Sequence, residues 1–407
     1  MFLNRNLKNA FMKASSSFSA VVLTGARQVG KITFLRHISE PERKYVSLDS
    51  LDYRQMAKND PQLFLSNFPP PVIIDEIQYA PELLPYIKVM IDEARFNGKS
   101  DCNGMFWLTG SQQFHMMKDV TESLAGRIAV FNLLGLSNRE LAGQGNQPFL
   151  PDTFTHDGMD MIGAPEFYKR IWRGSFPGII TRDDSDWSIF FDSYINTYIE
   201  RDVRDLTQVA DLGKFHSFIK AAAARTGQLL NYASLARDAD ISQPTAKTWM
   251  SVLVTSGLVY LLYPFYKNLN KRMISTPKLY FIDTGLAAFL TNWNTPEVLN
   301  AGAMSREFFE TWCISELLKS YLHSGRQAPF FYYRDKEKRE IDLLIENNGA
   351  LHPVEFKKSA TLKKSDVANF RVLEKFKVPI GHGALISLSP ENIMIAENCS
   401  AIPAPFL

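Results

Sequence analysis

Several things that would narrow the chain quickly are scarce in it. It has three cysteines, Cys102, Cys313 and Cys399, in 407 residues, far apart and in no CxxC pair. That excludes a disulfide scaffold and a thiolate metal knuckle, and it fits a reducing compartment. The seven histidines fall in no metal-ligand spacing, and His216 reads as a packed or surface residue of an amphipathic helix. Charge of one sign is lacking too. Lys plus Arg number 45 against 43 Asp plus Glu, a net charge of +2, so no global field draws the chain to nucleic acid or to a membrane. No apolar run approaches the roughly 18 residues of a membrane span, and the opening MFLNRNLKNAFMK has no sustained apolar core behind its charges. The expectation is a cytoplasmic protein with no membrane partner. Internal repeats and a nucleophile elbow for Ser/His/Asp catalysis are absent as well. What remains is a globular composition, 45% hydrophobic and 22% charged, at a length that predicts two to three domains of about 150 residues with more than one core.

The first of these has a readable order. Ser19 to Thr24 (SAVVLT) is a β-branched apolar run, GARQVGK follows, and ITFLRHI then has helical spacing. Strand, glycine loop and helix in that order predict a phosphate-binding loop from Gly25 through Ala26, Arg27, Gln28 and Val29 to Gly30, with Lys31 neutralising β/γ-phosphates. Glycines let the backbone turn tightly and aim successive N–H groups at phosphate oxygens. The pattern calls for a hydroxyl after the lysine to ligate Mg²⁺, and this chain has Ile32 there with Thr33 one place later. One residue along a helix turns a side chain by about 100°, so Thr33 points toward an α-phosphate rather than the metal. Nucleotide binding is thus better supported than turnover. Val72 to Ile74 ends at Asp75 and Glu76, carboxylates placed to hold Mg²⁺ through water and to polarise an attacking water. Met105 to Leu108 ends at Thr109-Gly110-Ser111, with Ser111 placed to sense a γ-phosphate. Three buried strands with polar carboxyl ends predict a doubly wound parallel sheet over residues 1–142.

Residues 143–212 read as a connecting segment: a Gly/Pro/Asp-rich excursion, then WSIFFDSYINTYIERDVRDL with Trp187, Phe191, Tyr194, Ile195 and Tyr198 on one helical stripe. Over 213–290, three helical segments, the last entered through Ser242 with Pro244 in its first turn, precede a strand pair, the order of a winged helix-turn-helix. Gln243, Thr245, Lys247 and the basic stretch Lys267 to Arg272 make DNA a candidate partner. Residues 291–407 form a last α/β unit. There Asp342 in EIDLLIE and Glu355 and Lys357 in PVEFKKS fit the spacing D, about a dozen residues, E-x-K, each acid on a predicted strand. Period-two alternation puts Glu355 and Lys357 on one face, where Asp342 and Glu355 would hold Mg²⁺ and the lysine would activate water. Glu310 on the preceding helix would complete the cluster, with Glu316 as the fallback. A surface ion pair of Glu355 with Lys357 is the plainer alternative.

TGARQVGK, VIIDEIQYAP, WLTGSQQ, SLAGR and YINTYIERDVRDL, in that order, resemble the bacterial and archaeal AAA-type ATPases whose carboxyl half is the domain DUF4143. The resemblance spans nearly the whole chain. It implies a P-loop NTPase domain, a winged helix and a restriction-endonuclease-like domain of PD-(D/E)xK type, with ATP and Mg²⁺ as cofactors. Family members carry Thr where this chain has Ile32. Arg127 in LAGR and Arg201 in ERDVRD match arginines repeated in the family. Each is a candidate arginine finger, in cis or from a neighbouring copy in a homo-oligomer, and a salt bridge to Asp202 or Asp205 is the alternative for Arg201. Three functions stay open: an ATPase that couples nucleotide state to the winged helix and the nuclease-like domain, a non-hydrolysing nucleotide-gated binding module, and a metal-dependent nuclease with regulatory ATP.

Overall fold

The computed structural model describes residues 2–98, 102–110, 123–155, 159–181, 186–199, 211–266 and 276–407. Strands β1 (Ala20–Thr24), β2 (Lys44–Ser47), β3 (Val72–Asp75), β4 (Phe106–Gly110) and β5 (Ile128–Asn132) form one sheet in the order β2-β3-β4-β1-β5. Every pairing is parallel. Parallel strands need crossovers that cover both faces, which is why β1, β3 and β4 are buried throughout and apolar up to the polar residues Thr24, Asp75 and Thr109 near their carboxyl ends. Successive residues serve opposite cores. Val21, Leu23, Ile73 and Trp107 face one cluster, while Ala20, Val22, Ile74 and Leu108 face another. Helix α1 (Lys8–Ser15) packs on β1 and β5, and α2 (Lys31–Ile38) leaves the loop after β1.

Two further units follow along the chain. Three helices, Leu212–Ala223, Tyr232–Asp238 and Gln243–Thr255, surround the antiparallel sheet of β6 (Gln228–Leu229), β7 (Val259–Leu262) and β8 (Lys278–Phe281), ordered β6-β8-β7. Ser242 Oγ accepts the N–H of Thr245 and caps the third helix, with Pro244 in its first turn. The last unit is a six-stranded mixed sheet. Strands β9 (Phe330–Arg334), β10 (Glu340–Asn347), β11 (Ala350–Lys357), β12 (Gly383–Ser387), β13 (Ile393–Ala396) and β14 (Cys399–Pro403) take the order β13-β14-β12-β11-β10-β9. The almost entirely buried helix α3 (Ser305–Leu322) packs against β11 and β8.

Two expectations change. The aromatic stripe from Trp187 is an α-helix only to Tyr194 and continues as a π-turn over Ile195–Ile199. And the three units do not keep separate cores: one contiguous apolar cluster runs from Leu7 through Val21, Phe191, Phe218, Phe309 and Val354 to Leu407. Only the far face of the parallel sheet and two small clusters of the last unit stand apart.

Candidate functional site

The loop after β1 is built by backbone conformations that few residues tolerate. Gly25 sits at φ +143°, and a Cβ there would lie 2.2 Å from the carbonyl oxygen of Leu133. Gln28 (φ 63°) and Gly30 (φ 90°) are both left-handed, so the chain curls into a concave run of amides ending at the amino terminus of α2, where no side chain caps. Lys31 is buried, and its Nζ donates to the carbonyl oxygens of Gly25 (2.9 Å) and Ala26 (3.0 Å), closing the curl. Ile32 packs against the main core and Thr33 is exposed, so neither side chain presents a buried oxygen to the loop.

Arg5 braces this loop from behind. Its guanidinium donates to the carbonyl oxygens of Val29 (2.9 Å), Leu134 (2.6 Å) and Gly135 (3.2 Å) and to Glu140 Oε1 (3.2 Å). Glu140 also accepts the backbone N–H groups of Asn6 (2.7 Å) and Ser137 (2.9 Å), and Nδ1 of His323, just past the end of α3, lies 3.4 Å from it. Burial alone would raise the Glu140 pKa, but His323 and Arg5 outweigh it and hold the carboxyl far below the usual range.

At the end of β3, beside β4, Asp75 is buried and accepts three hydroxyls. Thr109 Oγ1 donates to Oδ1, and Tyr45 (3.2 Å) and Ser47 (3.4 Å) donate to Oδ2. Burial raises its pKa and the neighbouring Glu76 adds to the rise, against Thr109, Tyr45 and Lys31. Glu76 is left-handed (φ 56°), donates its N–H to Thr109 Oγ1 (3.2 Å) and accepts the Gln78 amide on its carboxylate. Thr109 thus joins both acids. The sequence reading passed over it for Ser111, although its place as the first polar residue after an apolar strand was the available signal. Ser111 and Arg201, and with them the basic stretch Lys267 to Arg272, lie outside the described residues.

Arg127 stands at the opposite edge of the sheet. Its carbonyl accepts the N–H of Ala20 at the start of β1, while the P-loop leaves the far end of that strand, about 15 Å away at 3.3 Å per residue. Its guanidinium is engaged bidentately by Asp92 (2.6 and 3.0 Å). The structure therefore places Arg127 away from the P-loop of its own chain. In the winged helix, Gln243 and Lys247 are exposed and Thr245 is held by the Ser242 hydroxyl (2.7 Å).

The carboxyl-terminal carboxylates meet as expected, but around a different lysine. Asp342 Oδ2 accepts the Phe356 N–H (3.1 Å). Burial, then the charge and hydrogen bond of Asp342, pushes Glu355 well above the carboxylate range. Burial takes Glu310 up to about 7 against the opposing charge of Lys278. Lys357 is drawn instead to Asp366. The ammonium that faces the cluster is Lys278 of β8, at 3.1 Å from Glu310, 2.6 Å from Glu340 and 3.5 Å from Asp342. The fallback Glu316 serves elsewhere, accepting from Lys319 (2.7 Å) and the Asn138 N–H (2.8 Å). Among the described residues no group of three carboxylate, imidazole or thiol side chains is disposed to hold a metal ion. With the Lys278 ammonium seated among its oxygens, the cluster does not fit the resident Mg²⁺ of a nuclease. Among the described residues no helix is long and apolar enough to cross a membrane.

A parallel sheet ordered β2-β3-β4-β1-β5, with a glycine loop and helix after β1 and two acids ending β3, defines a P-loop NTPase of AAA type. Family models match three segments: an AAA domain over residues 17–142, a domain of unknown function (DUF8612) over 164–297, and the domain of unknown function DUF4143 over 306–407. The chain thus carries an AAA-type P-loop ATPase domain and, at its carboxyl end, a DUF4143 domain. The second model joins the connecting helices and the winged helix into one unit. Uncharacterized proteins of Mycobacterium bovis and Mycobacterium tuberculosis are each 29% identical over 388 residues, covering 94% of this chain and 80% of theirs. Among solved structures, the Walker-type ATPase of Pyrococcus abyssi is similar at 15% identity and a TM-score of 0.38, over 71% of this chain and 96% of that one. A signal transduction ATPase with a tetratricopeptide repeat sensor from Pyrococcus horikoshii is similar at 11% identity and a TM-score of 0.25, over 79% and 47%.

Proposed function

We propose that the chain binds ATP on the Gly25–Lys31 loop, hydrolyses it slowly, and passes nucleotide state to the carboxyl-terminal domain. The observation that supports this best is the loop itself: two left-handed residues and an uncapped helix terminus turn backbone donors toward an anion site one strand away from the Asp75–Thr109 pair. On binding, Lys31 exchanges the carbonyls of Gly25 and Ala26 for phosphate oxygens. Asp75 and its hydroxyl neighbours would hold Mg²⁺, which would offset charge on the phosphates. Glu76 accepts a proton from the attacking water as the γ-phosphoryl group passes to it and the ADP oxygen leaves. Thr109 keeps both acids in place. Ile32 supplies no metal ligand, and its packing in the core favours a second reading in which the chain binds ATP without turnover and works as a nucleotide-gated binding module. DNA contact through the exposed Gln243 and Lys247, and self-association that brings an arginine to a neighbour's P-loop, complete the proposal.

Steady-state ATP turnover by the full chain with Mg²⁺ tests it, beside Lys31→Ala, Glu76→Gln and Ile32→Thr. Turnover lost in the first two and raised in the third supports the ATPase. Tight ATP binding without turnover in the wild type, restored by Ile32→Thr, supports the binding module, and no ATP binding at all sinks both.

A further inference from the structure

We infer that the carboxylate cluster of the DUF4143 domain is filled by an internal cation, the Lys278 ammonium of the middle domain, which replaces a divalent metal and locks the two domains together. An ammonium has three N–H donors, and three carboxylates stand around this one: Glu310 from α3, and Glu340 and Asp342 from β10. The lysine is 4% exposed and its strand belongs to another sheet, paired with β6 and β7. The site is built for it on every side. Tyr280, two residues along β8, donates its hydroxyl to Glu310 (2.6 Å). The Tyr332 ring of β9 lies 5.8 Å from the ammonium, and Arg334 reaches the other oxygen of Glu340 (3.4 Å).

A buried lysine held this way is incompatible with a metal ion on the same oxygens. A divalent cation on these oxygens would have to displace a buried ammonium from three carboxylates at once, leaving that charge uncompensated. The motif D…E-x-K therefore survives in sequence while its lysine, Lys357, binds Asp366. The cation in its pocket comes from 64 residues upstream of Asp342. This inference is independent of the nucleotide reading, because no P-loop residue enters it.

The test is Mn²⁺ binding to the full chain without nucleotide, followed by electron paramagnetic resonance, in the wild type and in Asp342→Asn, Lys278→Met and Lys278→Met/Asp342→Asn. The wild type is expected to show no Mn²⁺ site that Asp342→Asn removes. Lys278→Met is expected to gain one and to lose it again in the double variant. Mn²⁺ should also raise the unfolding temperature of Lys278→Met and leave that of the wild type unchanged. An Asp342-dependent Mn²⁺ site in the wild type overturns the inference, as does a folded Lys278→Met that gains none. Should Lys278→Met not fold, Lys278→Met/Glu310→Gln, which removes one charge of each sign, is expected to fold; if it is no better than the single variant, charge compensation is not what holds the joint.

Discussion

Replacing Arg5 by methionine keeps most of the buried length and removes the guanidinium. Four bonds go with it: those to the carbonyls of Val29, Leu134 and Gly135, and that to Glu140 Oε1. Three carbonyls lose a donor, and a fully buried carboxylate keeps only two backbone N–H groups and a histidine. Removing one partner of a buried pair costs about 3–5 kcal/mol, because the remaining charge is left uncompensated. Urea denaturation of Arg5→Met should show a loss of that size. Glu140→Gln should lose a similar amount, and the double variant should lose less than the sum by about 1–3 kcal/mol. The pH dependence follows from sign. The folded-state pKa of Glu140 lies below its unfolded value of 4.5, so its contribution is fully present above that value and falls away as pH drops below it. Glu140→Gln should flatten the acid side of the stability profile. Because Val29 is in the P-loop, Arg5→Met should also weaken ATP binding. A coupling between the two positions under about 0.5 kcal/mol, the level of independent sites, would refute the brace.

Other outcomes follow from the same geometry. Gly25→Ala puts a Cβ 2.2 Å from the Leu133 oxygen at a φ of +143°, so the loop must refold; fluorescent ATP-analogue binding should vanish while circular dichroism keeps the helices. Thr109→Val removes the donor to Asp75 and the acceptor of the Glu76 N–H, and should cost about 1–3 kcal/mol in denaturation together with a fall in kcat. Arg127→Ala breaks a surface pair at the far edge of the sheet. Turnover at a concentration where the chain is monomeric should not change, and a collapse there would show that Arg127 reaches its own P-loop.

The P-loop, the acidic end of β3 and the two acids of the last sheet were legible because each is a local string on a strand whose burial is written in its apolar neighbours. Period two served for β11, whereas β10 shifts register against β9 between Ile341 and Leu344, around Asp342. What stayed hidden is long-range. Arg5 meets Val29, Leu134 and Glu140 across 24 to 135 residues, and nothing in NRNLK marks it. Lys278 opens one of the two strands that follow the winged-helix segments, and only the packing of β8 against α3 turns it into the cation of another domain's site. Lys357 was placed on the correct strand, yet alternation says which face a side chain takes and not which acid wins it. The shared core was hidden for the same reason, since patterning shows that a face is buried and not by what.

The segment leaving β5 explains how a change at the P-loop could be felt in the DUF4143 domain. Leu133 crowds Gly25, and the carbonyls of Leu134 and Gly135 bind Arg5, which also holds Val29. Over the next residues the same segment turns to α3. Lys319 Nζ donates to the Leu136 carbonyl (3.0 Å), Asn138 N–H donates to Glu316 (2.8 Å), and the Asn138 amide reaches the carbonyls of Pro405 and Leu407. A shift of the loop that admits phosphate must therefore move Arg5 or strain it, and either displaces a strap bound at its other end to α3 and the chain's last residues. Since α3 also carries Glu310, the strap and the Lys278 joint act on one helix from two sides. Interiors this closely packed transmit displacement instead of absorbing it. Lys319→Met/Glu316→Ala, which removes both of these side-chain links between the strap and α3 without touching the P-loop, should leave ATP affinity nearly intact while removing any nucleotide-dependent change in hydrogen exchange along α3. Exchange there that still responds to ATP in the variant would mean that the signal takes another route.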